Sequence, residues 1–248
     1  MKNAIITGIM AATILIAGLS STIAQAQELA TVTRAKGIIL PRFKLDDVSF
    51  MEAARQLIAA GKQHDHAQDG VRFLVLTGLE TNALSKISLD LTNVTLMEAA
   101  ERLAQSAGVS ITAKPFAFVF HPDPSRQIAD SLDLASKAHK DVLLQFVRLG
   151  AAPSDRCYKW KTLLEADKNI EETLKRDYVV VSIDMGFDLN QDIDERYGHP
   201  TRFSLPFIVV LDSDGKQRTR QTTQQFDEDD HFSGEKVDVF LKHWSSEY

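Results

Sequence analysis

The stretch Val142-Leu-Leu-Gln-Phe-Val147, Arg148-Leu-Gly-Ala-Ala-Pro-Ser-Asp-Arg-Cys157, Tyr158-Lys-Trp-Lys-Thr-Leu-Leu-Glu165 decides the fold of the C-terminal half. Its first six residues read as a buried strand, the next ten as a loop and the remainder as the start of a helix. Such a segment places a thiol at a helix N-terminus, where the amide dipoles favour its anion. Exchange of disulfides by a helix-terminal pair needs C-x-x-C, one thiol to attack and the other to resolve the mixed disulfide. Cys157 is the only cysteine of the chain, and Ser154 stands three residues before it. The scaffold is present and the dithiol is not.

Working outward, the C-terminal half as a whole is read as helix, strand, helix, strand, strand, strand, helix, with residues 142–147 as the first strand. Residues 127–139 form the first helix and 160–174 the helix after the loop. Residues 178–183 form a near-continuous apolar strand suited to a central parallel position. Residues 207–211 form another strand, Asp212-Ser-Asp-Gly215 a hairpin turn, and 236–244 the closing helix.

This half resembles the thioredoxin superfamily, above all its exported thioredoxin-like members. The landmarks are Cys157-Tyr-Lys-Trp160, Leu205-Pro206-Phe-Ile-Val-Val-Leu-Asp212 and Asp214-Gly215-Lys216. The resemblance implies a thioredoxin-like α/β fold over residues 127–248, with a cis Leu205–Pro206 bond. It also implies a groove for an extended peptide or partner beside Pro153, Ser154, Arg156, Leu205 and Pro206. In the preferred register Ser154 replaces the first cysteine and Cys157 is the second, buried one. An ungapped alignment instead puts Ala151 and Ser154 at the two cysteine positions. Neither restores a dithiol. Arg156 favours the Cys157 thiolate if it points inward. A hydrolytic Ser154 would need a base, for which His139 or His199 would have to be near in space.

The N-terminal half holds a repeat with an offset of 46 residues. Leu45-Asp-Asp-Val-Ser-Phe-Met-Glu-Ala-Ala-Arg-Gln-Leu57 matches Leu91-Thr-Asn-Val-Thr-Leu-Met-Glu-Ala-Ala-Glu-Arg-Leu103. Ser49 with Glu52, and Thr95 with Glu98, have the spacing of capping boxes, each cap stabilising by on the order of 1 kcal/mol. The repeat predicts β-α-β twice, forming one small α+β sheet with helices on one face, over residues 38–121. On Asn93-Val-Thr-Leu-Met-Glu-Ala-Ala100 this half resembles the short N-terminal domains of secretins and TonB-dependent receptors. That resemblance implies protein–protein contacts in the cell envelope. Residues 122–126, with Pro122 and Pro124, read as a linker.

Residues 1–26 read as a signal peptide: Lys2, an apolar run over 4–19, and the A-x-A site Ala24-Gln25-Ala26. No charge lies between Lys2 and Glu28, so an uncleaved anchor is the alternative and the one route to a membrane. Export implies a periplasmic or secreted protein in an oxidising compartment. The formal net charge is −6, without a basic cluster, which argues against a nucleic-acid partner. No cofactor and no metal is expected. His64-x-His66 reads as a solvated loop. The EF-hand-like opening Asp188-x-Asn190-x-Asp192 lacks the glycine and the closing glutamate, with Ile193 and His199 in their places. Residues 184–195 and 227–230 both read as solvated.

Three functions are compatible with these residues. One is a redox-inactive binding, chaperone-like or scaffolding module that grips a protein or peptide partner in the envelope. Another is a monothiol oxidoreductase using Cys157. The third is a structural part of an envelope assembly, contacted through the N-terminal half.

Overall fold

The computed structural model describes residues 22–66, 70–76, 86–229 and 231–246. The charged and apolar parts of the expected signal peptide, residues 2–19, lie outside the described residues, as do Thr77 and Asp230. Chain contacts divide the protein into two compact units, Met1–Pro122 and Asp123–Tyr248.

In the first unit a helix covers residues 22–37 (α1). It is followed by β1 (Ile39–Val48), α2 (Phe50–His64), β2 (Phe73–Val75), β3 (Ile87–Thr95), α3 (Leu96–Ala107), β4 (Val109–Lys114) and β5 (Ala117–Pro122). The repeat is β1-α2-β2 against β3-α3-β4, but its strands form two sheets. The leading strands pair antiparallel as β1–β3, and the following ones join β5 in the order β2-β5-β4. The expected single sheet is therefore divided. Asp47 and Asn93, equivalent positions of the repeat, both take positive φ (52°) just before their helices. This conformation is tolerated by Asp and Asn, and it recurs at the same place before each helix of the repeat. Leu40, Phe43, Phe50, Leu57, Leu96, Leu103, Phe118 and Phe120 build the core, joined by Ala35 and Val32 of α1.

Only one of the two capping boxes closes. Thr95 accepts from the Glu98 amide while Glu98 accepts from the Thr95 amide (2.8 Å). Ser49 accepts from the Glu52 amide at 3.3 Å, but the Glu52 carboxylate turns to Gln56 and Arg55 instead.

The second unit runs α4 (Pro124–Ala138), β6 (Asp141–Val147), α5 (Arg156–Ala166), α6 (Lys168–Asp177), β7 (Tyr178–Asp184), α7 (Gln191–Arg196), β8 (Phe207–Leu211), β9 (Gln217–Thr222), β10 (Asp227–Glu228), β11 (His231–Phe232) and α8 (Gly234–Trp244). The sheet order is β7-β6-β8-β9, with β6 and β7 parallel and the other pairs antiparallel. Side chains alternate across it. Leu143, Val147, Ile208 and Val210 face a core with α5 and α8, whereas Val142, Leu144, Phe146, Val209 and Leu211 face one with α4 and α7. A parallel β-α-β unit, an antiparallel hairpin and helices on both faces make the unit a thioredoxin-like α/β fold.

Four sequence expectations are corrected here. Residues 122–126 are no linker, because Asp123 caps α4 and Pro124 opens it, where a missing amide costs nothing. The helix expected over 160–174 breaks at Asp167, which closes α5 with its amide and opens α6 with its carboxylate. β7, read as central, is an edge strand. Residues 184–195 are no solvated loop: Asp184 and Asp194 are buried, Asp184 accepting from the amides of Leu149 and Gly186, and Asp194 from the amide and hydroxyl of Thr201.

Candidate functional site

The loop between β6 and α5 is tied to the body of the unit at both ends. At its start the Arg148 amide donates to Cys157 Sγ (3.3 Å) and the Leu149 amide to Asp184 Oδ1 (3.1 Å). Gly150 takes positive φ (69°), which lets the chain turn back. At its end Asp155 is the N-cap of α5, accepting from the Cys157 amide at 2.8 Å. Its second oxygen accepts from the Arg148 guanidinium at 2.8 Å.

Cys157 is therefore the second residue of α5, and it is 3% exposed. Burial pushes its thiol above the ordinary value. The Arg148 amide opposes this, while the Asp155 carboxylate reinforces it by placing a negative charge where a thiolate would form. The helix N-terminus that activates a thiol elsewhere is here occupied by an acid.

Arg156 does not favour the thiolate. Its guanidinium makes paired hydrogen bonds to Asp227 (2.9 and 3.0 Å) and lies 4.6 Å from the Phe232 ring centroid. It pins the β10–β11 hairpin to α5, and the basic group that faces the sulfur is Arg148. Asp227 is accordingly an ion-pair partner rather than part of a solvated run.

Ser154 is exposed and lies before the N-cap, outside the helix. The residue one helical turn beyond Cys157 is Trp160, which is buried. The Trp160 indole donates to Gln145 Oε1 (2.9 Å), and Gln145 donates onward to Ser182 (3.0 Å). Phe226 stacks on the indole, and Phe232 meets it edge-on. This buried polar chain through a central strand was not anticipated, although a glutamine inside the apolar run 142–147 was its signal.

The Leu205–Pro206 bond is cis. Pro206 is buried and its carbonyl accepts from Thr223 (2.8 Å). Leu205, Leu149 and Ala151 pack on the cluster that contains Cys157. Pro153 borders a different feature, an apolar recess of about 390 Å³ with Tyr158, Leu163, Ala166, His231 and Phe232. The two histidines considered as bases for Ser154 have other tasks. His199 pairs with Asp194 (3.2 Å), and His139 closes α4 in the left-handed conformation.

In the first unit His64 and His66 flank Asp65, which is held by Arg34 (2.6 Å) and the Gly70 amide (2.9 Å). Among the described residues no three His, Cys, Asp or Glu side chains gather as a metal site. Among the same residues no helix is long and apolar enough to cross a membrane.

No family model and no curated protein sequence matches the chain. Solved structures do. A disulphide isomerase from Xylella fastidiosa Temecula1 is similar at 27% identity over 50% of this chain and 92% of its own, with a TM-score of 0.43. The C-terminal domain of DsbD from Neisseria meningitidis, in its oxidised form, is similar at 17% identity over 49% of this chain and 95% of its own (TM-score 0.35). A thioredoxin from Thermus thermophilus is similar at 17% identity over 46% and 81% (TM-score 0.33).

Proposed function

We propose that the protein is an exported thioredoxin-like binding module that works without thiol–disulfide exchange. It grips an extended segment of a protein partner in the cell envelope, beside Ser154, Leu205 and Pro206. The observation that carries this reading is the state of Cys157. The only sulfhydryl is buried, accepts a backbone hydrogen bond, and is biased toward its protonated form by burial and Asp155. Attack on a disulfide needs an accessible thiolate, and resolution needs a second thiol. Recognition of an extended chain needs neither, because backbone pairing supplies the affinity. The first unit, in this proposal, contributes envelope contacts of the kind made by secretin-type N-terminal domains.

The test is the rate at which a thiol reagent labels Cys157. Slow labelling of native protein and fast labelling in denaturant are expected. Native labelling as fast as that of the denatured chain would overturn the proposal in favour of a monothiol oxidoreductase. That second reading draws on one feature: Cys157 lies in the first turn of α5, beside the Arg148 amide and guanidinium, both of which favour the anion.

A further inference from the structure

The sheet of the second unit has two edges, and they are built differently. β9 forms one edge and reads Gln217-Arg-Thr-Arg-Gln-Thr222, with two arginines, no apolar residue and a register shift against β8. Charge and irregularity are the usual means of keeping an edge from pairing with another chain. β7 forms the other edge and has none of these devices. It reads Tyr178-Val-Val-Val-Ser-Ile-Asp184, with no charge, proline or glycine before Asp184. Among the described residues it pairs with β6 alone. Val180 is 38% exposed, and Val179 and Ser182 are partly so. Half of its peptide groups point outward from the sheet, as in any edge strand.

We propose that this edge pairs antiparallel with β7 of a second copy of the chain, joining two four-stranded sheets into one across a two-fold axis. The charges at the strand ends favour a copy in this orientation. Lys140, Lys175, Arg176 and Arg218 surround the start of β7, with Glu171, Asp177 and Asp141 as their acidic neighbours; the Lys140 ammonium donates to the Lys175 carbonyl, and Arg218 pairs with Asp141. The strand ends on the buried Asp184, and the exposed Asp188 follows four residues later. Antiparallel pairing sets the net positive start of each strand against the acidic end of the other, twice by symmetry. Backbone hydrogen bonds supply the association, and Val180 with its neighbours the apolar contact. This inference is independent of the reading of Cys157 and Pro206.

The test is sedimentation of the full chain through a dilution series in the micromolar range, beside Val180→Lys. The wild type is expected to sediment with twice the mass of the chain. Val180→Lys, which sets like charges close across the axis, is expected to raise the dissociation constant at least about tenfold. Circular dichroism identifies a folded variant. Should the variant fail to fold, hydrogen exchange of the wild type decides, since protection of amides 178–184 must rise with protein concentration. A wild type monomeric throughout the series overturns the inference, as does a dimer unchanged in folded Val180→Lys, or protection at 178–184 independent of concentration. A monomer that instead captures an extended peptide at this edge also overturns it.

Discussion

Cys157 combines two opposed influences, and its pH response shows which dominates. Burial and Asp155 raise the native thiol above its ordinary value of 9.0. The unfolded chain therefore gives up this proton at lower pH than the native one. The contribution to stability is full below about pH 9 and is lost as pH rises toward the native value. Cys157→Ala is expected to flatten that alkaline limb, as read by urea unfolding at about pH 8 and about pH 10 under reductant; the change of slope, not the absolute stability, is the readout. Trp160 and Gln145 form the other residue-scale test. Gln145→Leu leaves the buried indole N–H without its partner and is expected to cost about 1–3 kcal/mol. Trp160→Ala removes a side chain packed by Phe226 and Phe232 and is expected to cost about 3–5 kcal/mol. Urea midpoints check both. The position of Cys157 was legible in the sequence because strand, loop and helix signals bracket it. The direction of Arg156 was not: its partners, Asp227 and Phe232, are distant in sequence, and neither spacing nor composition marks them.

At the scale of elements, the repeat supplies its own control. Thr95→Ala breaks a two-way cap and is expected to cost about 1 kcal/mol, Ser49→Ala clearly less, because Glu52 does not reciprocate. Thermal unfolding followed by far-ultraviolet circular dichroism compares them. The sequence motif is the same in both helices. What differs is Arg55 and Gln56 in the first helix against Glu101 and Arg102 at the matching positions of the second, since Gln56 and Arg55 offer Glu52 donors that compete with the cap. The break at Asp167 escaped sequence reading for a related reason. Leu163, Leu164, Ile170 and Leu174 keep roughly helical spacing across it, so periodicity runs through a residue that ends one helix and starts the next. The Arg156–Asp227 pair joins elements far apart in the chain. Arg156→Ala is expected to cost about 1 kcal/mol and to quicken hydrogen exchange over 227–232, and lysine should rescue poorly because it lacks the paired geometry.

For the whole molecule, the two units lend themselves to separate study. Residues 123–248 expressed alone are expected to fold, with circular dichroism as the check. The helix α1 was hidden from sequence reading by the leader pattern that overlaps it. It bears on the proposed export, since cleavage after Ala26 would leave Val32, Arg34 and Ala35 in place on the first unit. A chain beginning at Gln27 is expected to match the stability of the first unit in the full chain, and one beginning at Ile38 to fall below it. The aromatic residues add a practical consequence. Trp160 and Trp244, with Tyr158, Tyr178, Tyr197 and Tyr248, all belong to the second unit, whereas the first contains phenylalanine alone among the aromatics. Intrinsic fluorescence and absorbance near 280 nm thus report on one half of the protein and are blind to the other. A melt followed by either of these signals is a melt of the second unit, and the first has to be followed by far-ultraviolet circular dichroism.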